Sequence, residues 1–167
     1  ISACLVGSEM CIRDRCHCGN RGCVEAMAAG PAIARLAEEA ARQGDSALLA
    51  EWFERDGQLL PEQVAQASRA GDATASGIVQ RAGGLIGQML ASLVNFFNPS
   101  HVFIGGGVTN VGPLFLAAVR QSVYQRSLAL STRHLEIQFS PLGGHTGVTG
   151  AGVLAMQETL RTRGVAP

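Results

Sequence analysis

The 167-residue chain contains no lysine, and all 13 of its basic residues are arginine. It therefore holds no G-K-[ST] segment and no P-loop for a nucleoside triphosphate. With 21 glycines and abundant alanine, the missing lysine reads as the codon usage of a high-GC genome, a genomic rather than a physical trait. Long apolar runs are also missing: none reaches the roughly 18–20 residues that a membrane span requires. The start has neither the basic n-region nor the long apolar h-region of a secretory signal. Net charge is zero and the pI is about 7.1, which removes any electrostatic reason to expect nucleic acid or an anionic membrane as a partner. Acidic residues are absent between Asp72 and Glu136, although Arg81, Arg120, Arg126 and Arg133 fall in that interval. Two readings stand there: a half that tolerates a nearby phosphate, or a neutral buried core. There are no internal repeats and no low-complexity tract.

What is present suits one well-packed domain, or one lobe of a larger protein, with 47% hydrophobic and 16% charged residues. Five cysteines without a secretory signal point to a reducing cytoplasm, where clustered thiols are more often metal ligands than disulfides. The first fifteen residues, ISACLVGSEMCIRDR, show no periodicity that joins naturally to the cysteine-rich segment after them. Their CLVGSEMCIRD core resembles a translated sequencing-adapter or cloning segment. Residues 1–15 are read as non-native and left out of the fold, the alternative being an ordinary short strand and turn. On that reading Cys4 and Cys11 carry no meaning, and the native chain continues upstream of Cys16.

From 24 to about 43 the pattern is helical, interrupted or restarted at Gly30-Pro31. A second helix is expected over 46–55, ended by Gly57, and a third from Pro61 to a stop at Gly71. Asp72 is a good N-cap for the longest helix, about 74–97. There Ile78, Ala82, Leu85, Ile86, Met89, Leu93, Phe96 and Phe97 recur at three- and four-residue steps. Gly83, Gly84 and Gly87 each weaken that helix, so close packing against another backbone is the expected compensation. HVFIGGG (101–107) reads as a buried strand running into a tight loop, and Gly112-Pro113 opens another helix. LEIQFSPL alternates as a second strand, GGHTGVTG reads as a glycine-rich turn, and a last helix spans 151 to about 161.

Three features carry chemistry. In CHCGNRGCVE (16–25), Cys16, Cys18 and Cys23 have a C-x-C-x4-C spacing on a turn with two glycines. Such a turn can curl thiolates round one zinc ion, which prefers four tetrahedral ligands. His17, between two cysteines, is expected to point its ring away from their metal, so a fourth ligand must come from elsewhere. In NPSHVFIGGG (98–107), Gly105, Gly106 and Gly107 would let backbone N–H groups approach a phosphate or nucleoside. The run G-G-G-V-T-N is not a G-x-G-x-x-G fingerprint, and no acidic residue occurs about 20 positions on; a purely structural turn is the competing reading. Glu25 could accept hydrogen bonds from sugar hydroxyls beside a rigid metal turn, or simply face solvent from a helix.

In this order the motifs resemble the ROK family, which contains bacterial sugar kinases and sugar-responsive transcriptional repressors. The match runs over C-x-C-G-x-x-G-C-x-E (16–25), LVNFFNPSHVFIGGGV (93–108) and SPLGGHTGVTGAG (140–152), and covers nearly all of 16–167. The resemblance implies an α/β chain: the helix-rich C-terminal lobe of an actin-like ATPase, or ribonuclease-H-like, fold, with zinc beside a sugar site. The family's three zinc cysteines correspond to Cys16, Cys18 and Cys23, its second sugar-binding glutamate to Glu25, and its adenosine-contacting turn to Gly105, Gly106 and Gly107. The family's zinc histidine lies ten residues before the first cysteine, where this chain has Val6, and an upstream sugar-binding glutamate would fall on Ala3. Both departures lie within residues 1–15, so the zinc site is expected to be incomplete.

The resemblance implies one of two functions. In a sugar-responsive regulator, sugar binding would shift an equilibrium that controls DNA affinity through an N-terminal winged helix outside this sequence. In a glucokinase-like enzyme, an aspartate on the other lobe would deprotonate a sugar hydroxyl while Mg-ATP supplied the phosphoryl group. ASRAGDATA and QRSLALSTRHLEI resemble the repressor branch of high-GC bacteria somewhat more, which favours the regulator. A zinc-stabilised module unrelated to sugars is a third reading. A monosaccharide ligand, a cytoplasmic location and a homodimeric parent complete the expectations. This chain alone, without the catalytic aspartate or a basic recognition helix, should show neither sugar-dependent ATP turnover nor DNA binding. A coupled ATPase assay with glucose checks the first, and any sugar-dependent turnover would contradict it.

Overall fold

The computed structural model describes residue 16 and residues 18–162; the reading of residues 1–15 and the expected orientation of His17 lie outside them. Helix α1 (Val24–Ala28) and helix α2 (Gly30–Gln43) are separated by Ala29 in extended conformation. Pro31, in the first turn of α2, has no N–H to donate back into a continuing α1, and its ring would clash with the carbonyl four residues before it. Ala29 instead receives the N–H groups of Ala32 and Ile33 on its carbonyl, as a helix start does. Gly44, at φ 76°, closes α2 in the left-handed region that glycine adopts without strain.

Helix α3 (Ala47–Asp56) and the long helix α5 (Ala73–Phe97) begin at one shared cap. The buried Ser46 hydroxyl accepts from Leu49 N at 3.0 Å and donates to Asp72 Oδ2 at 2.6 Å. Asp72 Oδ1 in turn accepts from Ala75 N at 2.7 Å. Each residue thus satisfies an orphan donor of its own helix and holds the other in place. Between them, α4 (Pro61–Arg69) opens on a proline, and Gln63 Oε1 reaches back to Leu60 N at 2.7 Å. Asn98 ends α5 in a left-handed conformation at φ 47°.

The second half is a strand–helix–strand unit. Strand β1 (His101–Ile104) passes through a 3-10 turn (Gly107–Val111) into α6 (Pro113–Arg126). A one-turn helix α7 (Ala129–Thr132) then leads to β2 (Glu136–Phe139). The strands pair in parallel with His101 opposite Glu136 and Ile104 opposite Phe139, a pairing that needs a crossover of this length. Arg120 fastens β2 to α6 by donating from Nε and Nη2 to Ile137 O at 2.8 and 2.6 Å. A second 3-10 turn (Gly143–His145) precedes α8 (Thr146–Thr162).

The core joins α2, α3, α4, α5, α6 and β2, with Ile33, Leu49, Val64, Val79, Val94, Phe115, Val119, Val123 and Ile137 fully buried. Its most extensive contact is α5 against α6. A Cβ added to Gly83 would stand 2.7 Å from Phe115 O, and one added to Gly87 would stand 2.6 Å from Val119 O. The expected close backbone approach is therefore present at these two glycines. Gly84 has open space around it, and only its carbonyl takes part, accepting from Ser122 Oγ at 2.9 Å.

Two expectations are corrected. The β1 segment is not a buried strand: His101 and Phe103 are exposed, the latter at 57%, while Val102 and Ile104 pack against the core. Its apolar run is continuous in sequence, but among the described residues one face alone is covered. The glycine-rich stretch expected as a turn is helical from Thr146 onward, so α8 includes Gly147, Gly150 and Gly152. A helical glycine costs only about 1 kcal/mol relative to alanine, which lowers helix propensity without breaking the hydrogen-bond ladder as proline would.

Gly87→Ala should lower stability by about 1–3 kcal/mol through overpacking against α6, whereas Gly84→Ala should leave it unchanged or raise it by up to about 1 kcal/mol. Denaturant midpoints of the two variants check the order. Equal midpoints would mean that the two helices separate without cost.

Candidate metal centre and sugar site

The thiol turn is shaped by its backbone. Cys16 N donates to Asn20 O at 2.8 Å and Gly19 N donates to Cys16 O at 2.9 Å, closing a tight loop. Gly19 and Gly22 have φ of 87° and 72°, a region where a side chain is strained. The loop then feeds directly into α1, whose first turn contains Glu25. Helix α1 packs on α5, and a groove of about 280 Å³ between them is lined by Gly22, Val24, Met27, Leu85 and Met89. The turn is thus placed by the same long helix that organises the core.

The structure brings Cys16, Cys18 and Cys23 together, with their sulfurs all within 4.8 Å of one another. Cys18 Sγ and Cys23 Sγ are 3.6 Å apart. Sulfurs on a tetrahedral ion with metal–sulfur bonds of ~2.3 Å would be separated by roughly 3.8 Å, so the donors fit a soft divalent cation with little movement. Cys16 is buried, Cys23 half-buried and Cys18 exposed. Asn20 donates its side-chain amide to Cys18 Sγ at 3.5 Å. The Asn20 backbone hydrogen bond, then the neighbouring Cys16 and Cys23 thiols, hold Cys18 below the usual thiol range. Cys23 is pushed up to about 11, first by the Cys18 thiol and then by Cys16. Crowded thiols resist carrying several negative charges at once; a central cation would favour the thiolate at each.

Glu25 lies exposed on the first turn of α1, two residues beyond Cys23. Its backbone follows the thiol turn directly along the chain. The glycine turn after β1 is built separately. Gly106 has φ 85° and ψ −173°, a conformation essentially reserved for glycine. Its carbonyl accepts from Thr109 N at 3.1 Å and from Thr109 Oγ1 at 2.8 Å. Gly105, Gly106 and Gly107 are exposed. Asn110 Nδ2 donates to Glu62 Oε1 at 3.0 Å, which ties the turn to α4. Sequence reasoning missed Thr109 and Asn110 as the residues that hold this turn. The available signal was a hydroxyl three residues after a glycine, a local turn-closing arrangement.

The fold is that of a lobe of the actin-like ATPase class, as the comparisons with known proteins show. The ROK family model matches residues 8–158. A glucokinase from Halalkalibacterium halodurans is 33% identical over 143 residues, spanning 86% of this chain and 43% of that protein. The DNA-binding transcriptional repressor Mlc of Escherichia coli is 29% identical over 141 residues, spanning 84% of this chain and 33% of the repressor. Among solved structures, a ROK family glucokinase from Streptomyces griseus in complex with glucose and AMPPNP superposes with a TM-score of 0.75 at 31% identity. That similarity covers 86% of this chain and 47% of the glucokinase. The chain belongs to the ROK family. It spans less than half the length of these relatives. No described helix is long and apolar enough to cross a membrane.

Zinc added to the metal-stripped chain should raise its melting temperature, because a ligand at about 100 times its dissociation constant adds about 2.7 kcal/mol. Excess chelator should reverse the gain, and Cys16→Ser should abolish it. Melting that ignores both zinc and chelator would show that the three sulfurs hold no metal.

Proposed function

We propose that the chain is the monosaccharide-binding part of a ROK sugar-responsive transcriptional regulator, with Glu25 as a sugar-binding carboxylate and Cys16, Cys18 and Cys23 as zinc ligands. The observation that carries the sugar-binding part of this reading is the placement of Glu25: an exposed carboxylate on the helix that emerges from the three-thiol turn. An ionised carboxylate accepts charge-assisted hydrogen bonds from two hydroxyls of a sugar ring. Zinc would act at one remove, by fixing the turn and therefore the direction of α1. Sugar binding in the whole protein would then favour one of two conformations that differ in DNA affinity. The similarity to Mlc supports this branch, as does that to the xylose repressor of Caldicellulosiruptor bescii, 30% identical over 147 residues.

A second reading, the lobe of a glucokinase-like enzyme, is favoured by the 33% identity to the bacterial glucokinase and the 0.75 TM-score to the glucose complex. In it Gly105, Gly106 and Gly107 would pass beneath the adenosine of Mg-ATP, where Gly106 presents backbone without a Cβ. Glu25 and the zinc keep the same roles in both.

In the full-length protein, Glu25→Gln should weaken sugar binding about ten- to hundred-fold, the equivalent of roughly 1.5–3 kcal/mol for a hydrogen bond to a charged group. Zinc content should not change. Calorimetric titration with glucose, alongside metal analysis, checks both. Unchanged affinity would make Glu25 a surface residue of α1. Glucose-dependent release of operator DNA by the same protein supports the regulator, and glucose-dependent ATP turnover supports the kinase.

A further inference from the structure

The geometry points to Cys18 and Cys23 as a peroxide-reactive dithiol that closes to a disulfide and expels the bound metal, making the site a redox-controlled one. The three sulfurs are not equivalent. Cys16 is buried, with its backbone N–H and carbonyl both committed to the loop through Asn20 O and Gly19 N. Cys18 is exposed, and Asn20 Nδ2 at 3.5 Å gives its sulfur a hydrogen-bond donor. Cys23 is half-buried and only 3.6 Å away. An oxidant from solvent therefore meets Cys18 first, with Cys23 already in position to resolve the product. An accessible sulfur beside a resolving cysteine is the arrangement on which reversible thiol oxidation depends.

The four residues between the two cysteines include Gly19 and Gly22, both at positive φ and both with open space where a Cβ would stand. Such a loop can draw the sulfurs from contact distance to the ~2.05 Å of a disulfide without driving a side chain into the core. The chemistry balances with a hydroperoxide as oxidant. The Cys18 sulfur attacks one peroxide oxygen, the O–O bond breaks, and a sulfenic acid and hydroxide form. Cys23 sulfur then attacks the sulfenic sulfur, the S–O bond breaks, and the oxygen leaves as water. Overall two thiols and one hydrogen peroxide give one disulfide and two waters. With a divalent ion held by these thiolates, the same oxidation would consume one peroxide and two protons and would free the ion. Cys16 remains as a single ligand, too few for a structural site. Metal release rests on the zinc reading above; the dithiol reaction does not.

The test uses this chain with Cys4 and Cys11 replaced by serine, loaded with zinc and treated with hydrogen peroxide. Released zinc is monitored with a chromophoric chelator, and the products are mapped by differential alkylation and peptide mass spectrometry. The expected result is a Cys18–Cys23 disulfide, loss of about two thiols per chain with zinc release in step, and full recovery with dithiothreitol. In Cys23→Ser a sulfenic acid at Cys18 should persist and be trapped by dimedone. A disulfide that forms in a chain unable to hold zinc keeps the dithiol proposal and removes the metal reading. Zinc that binds but stays bound under peroxide, with Cys18 and Cys23 still reduced, overturns the proposal. So does a mapped bond that involves Cys16, or direct passage to sulfinic acid.

Discussion

The close approach of α5 and α6 at Gly83 and Gly87 is the contact on which the rest of the lobe depends. A side chain at either glycine would meet the α6 backbone at 2.6–2.7 Å, so the helices pack at a spacing that only hydrogen at Cα permits. That spacing brings Val79, Ala82 and Val94 of α5 into one core with Phe115, Val119 and Val123 of α6. It also brings Ser122 within reach of the Gly84 carbonyl. From this pair the structure spreads in two directions. Helix α6 holds β2 through Arg120, and β2 holds β1; α5 supports α1 and with it the thiol turn. The thiol turn is thus placed through α5, and the glycine turn through β1 and, by way of Asn110, α4.

At its buried positions, the acid-free interval between Asp72 and Glu136 follows from the same packing. Arg120 is committed to Ile137 O, and Arg126 donates to Ser122 Oγ at 3.2 Å. Arg81 lines a cleft between α2 and α5 with Glu39 and Asp45, acidic residues supplied from outside the interval. The interval contributes Val79, Ala82, Val94, Phe115, Val119 and Val123 to the core. Burying a carboxylate among them would cost several kcal/mol unless it were paired. The neutral-core reading applies to these buried positions, and two of the interval's arginines serve as hydrogen-bond donors within the fold.

Sequence legibility tracked the locality of the signal. Asp72, Ser46, Pro31, Pro61, Gly57 and Asn98 act on backbone groups within four residues, and the structure has helix boundaries beside each of them. The thiol cluster was legible for the same reason, since its spacing and glycines lie within eight residues. What depended on distant partners was not. The hydrogen bond between Ser46 and Asp72 spans 26 residues, and nothing in either local pattern announces that two caps are one. The exposure of Phe103 depends on which faces of the sheet are covered, which an apolar run does not encode. Gly83, Gly84 and Gly87 looked alike in sequence, yet only the two that lie four residues apart fall on the α6 face, as helical periodicity requires. At 146–150 the error was one of weight: glycines lower helix propensity, but they do not veto a helix.

That a glucokinase and a repressor resemble this lobe to within a few per cent identity has a physical reading. A fold does not fix a function; the groups placed on it do. The features this chain can place with its own residues are a metal-shaped turn, a carboxylate beside it and a glycine turn after β1. On the proposed reading the first two would serve recognition of a polyhydroxylated ligand, which phosphoryl transfer and ligand-controlled DNA binding both require as a first step. A site that only recognises can be coupled to either outcome without changing its own geometry. On the proposed reading Glu25 and the thiol turn would belong to that shared step, because recognising a sugar places the same demand on their positions whichever response it triggers.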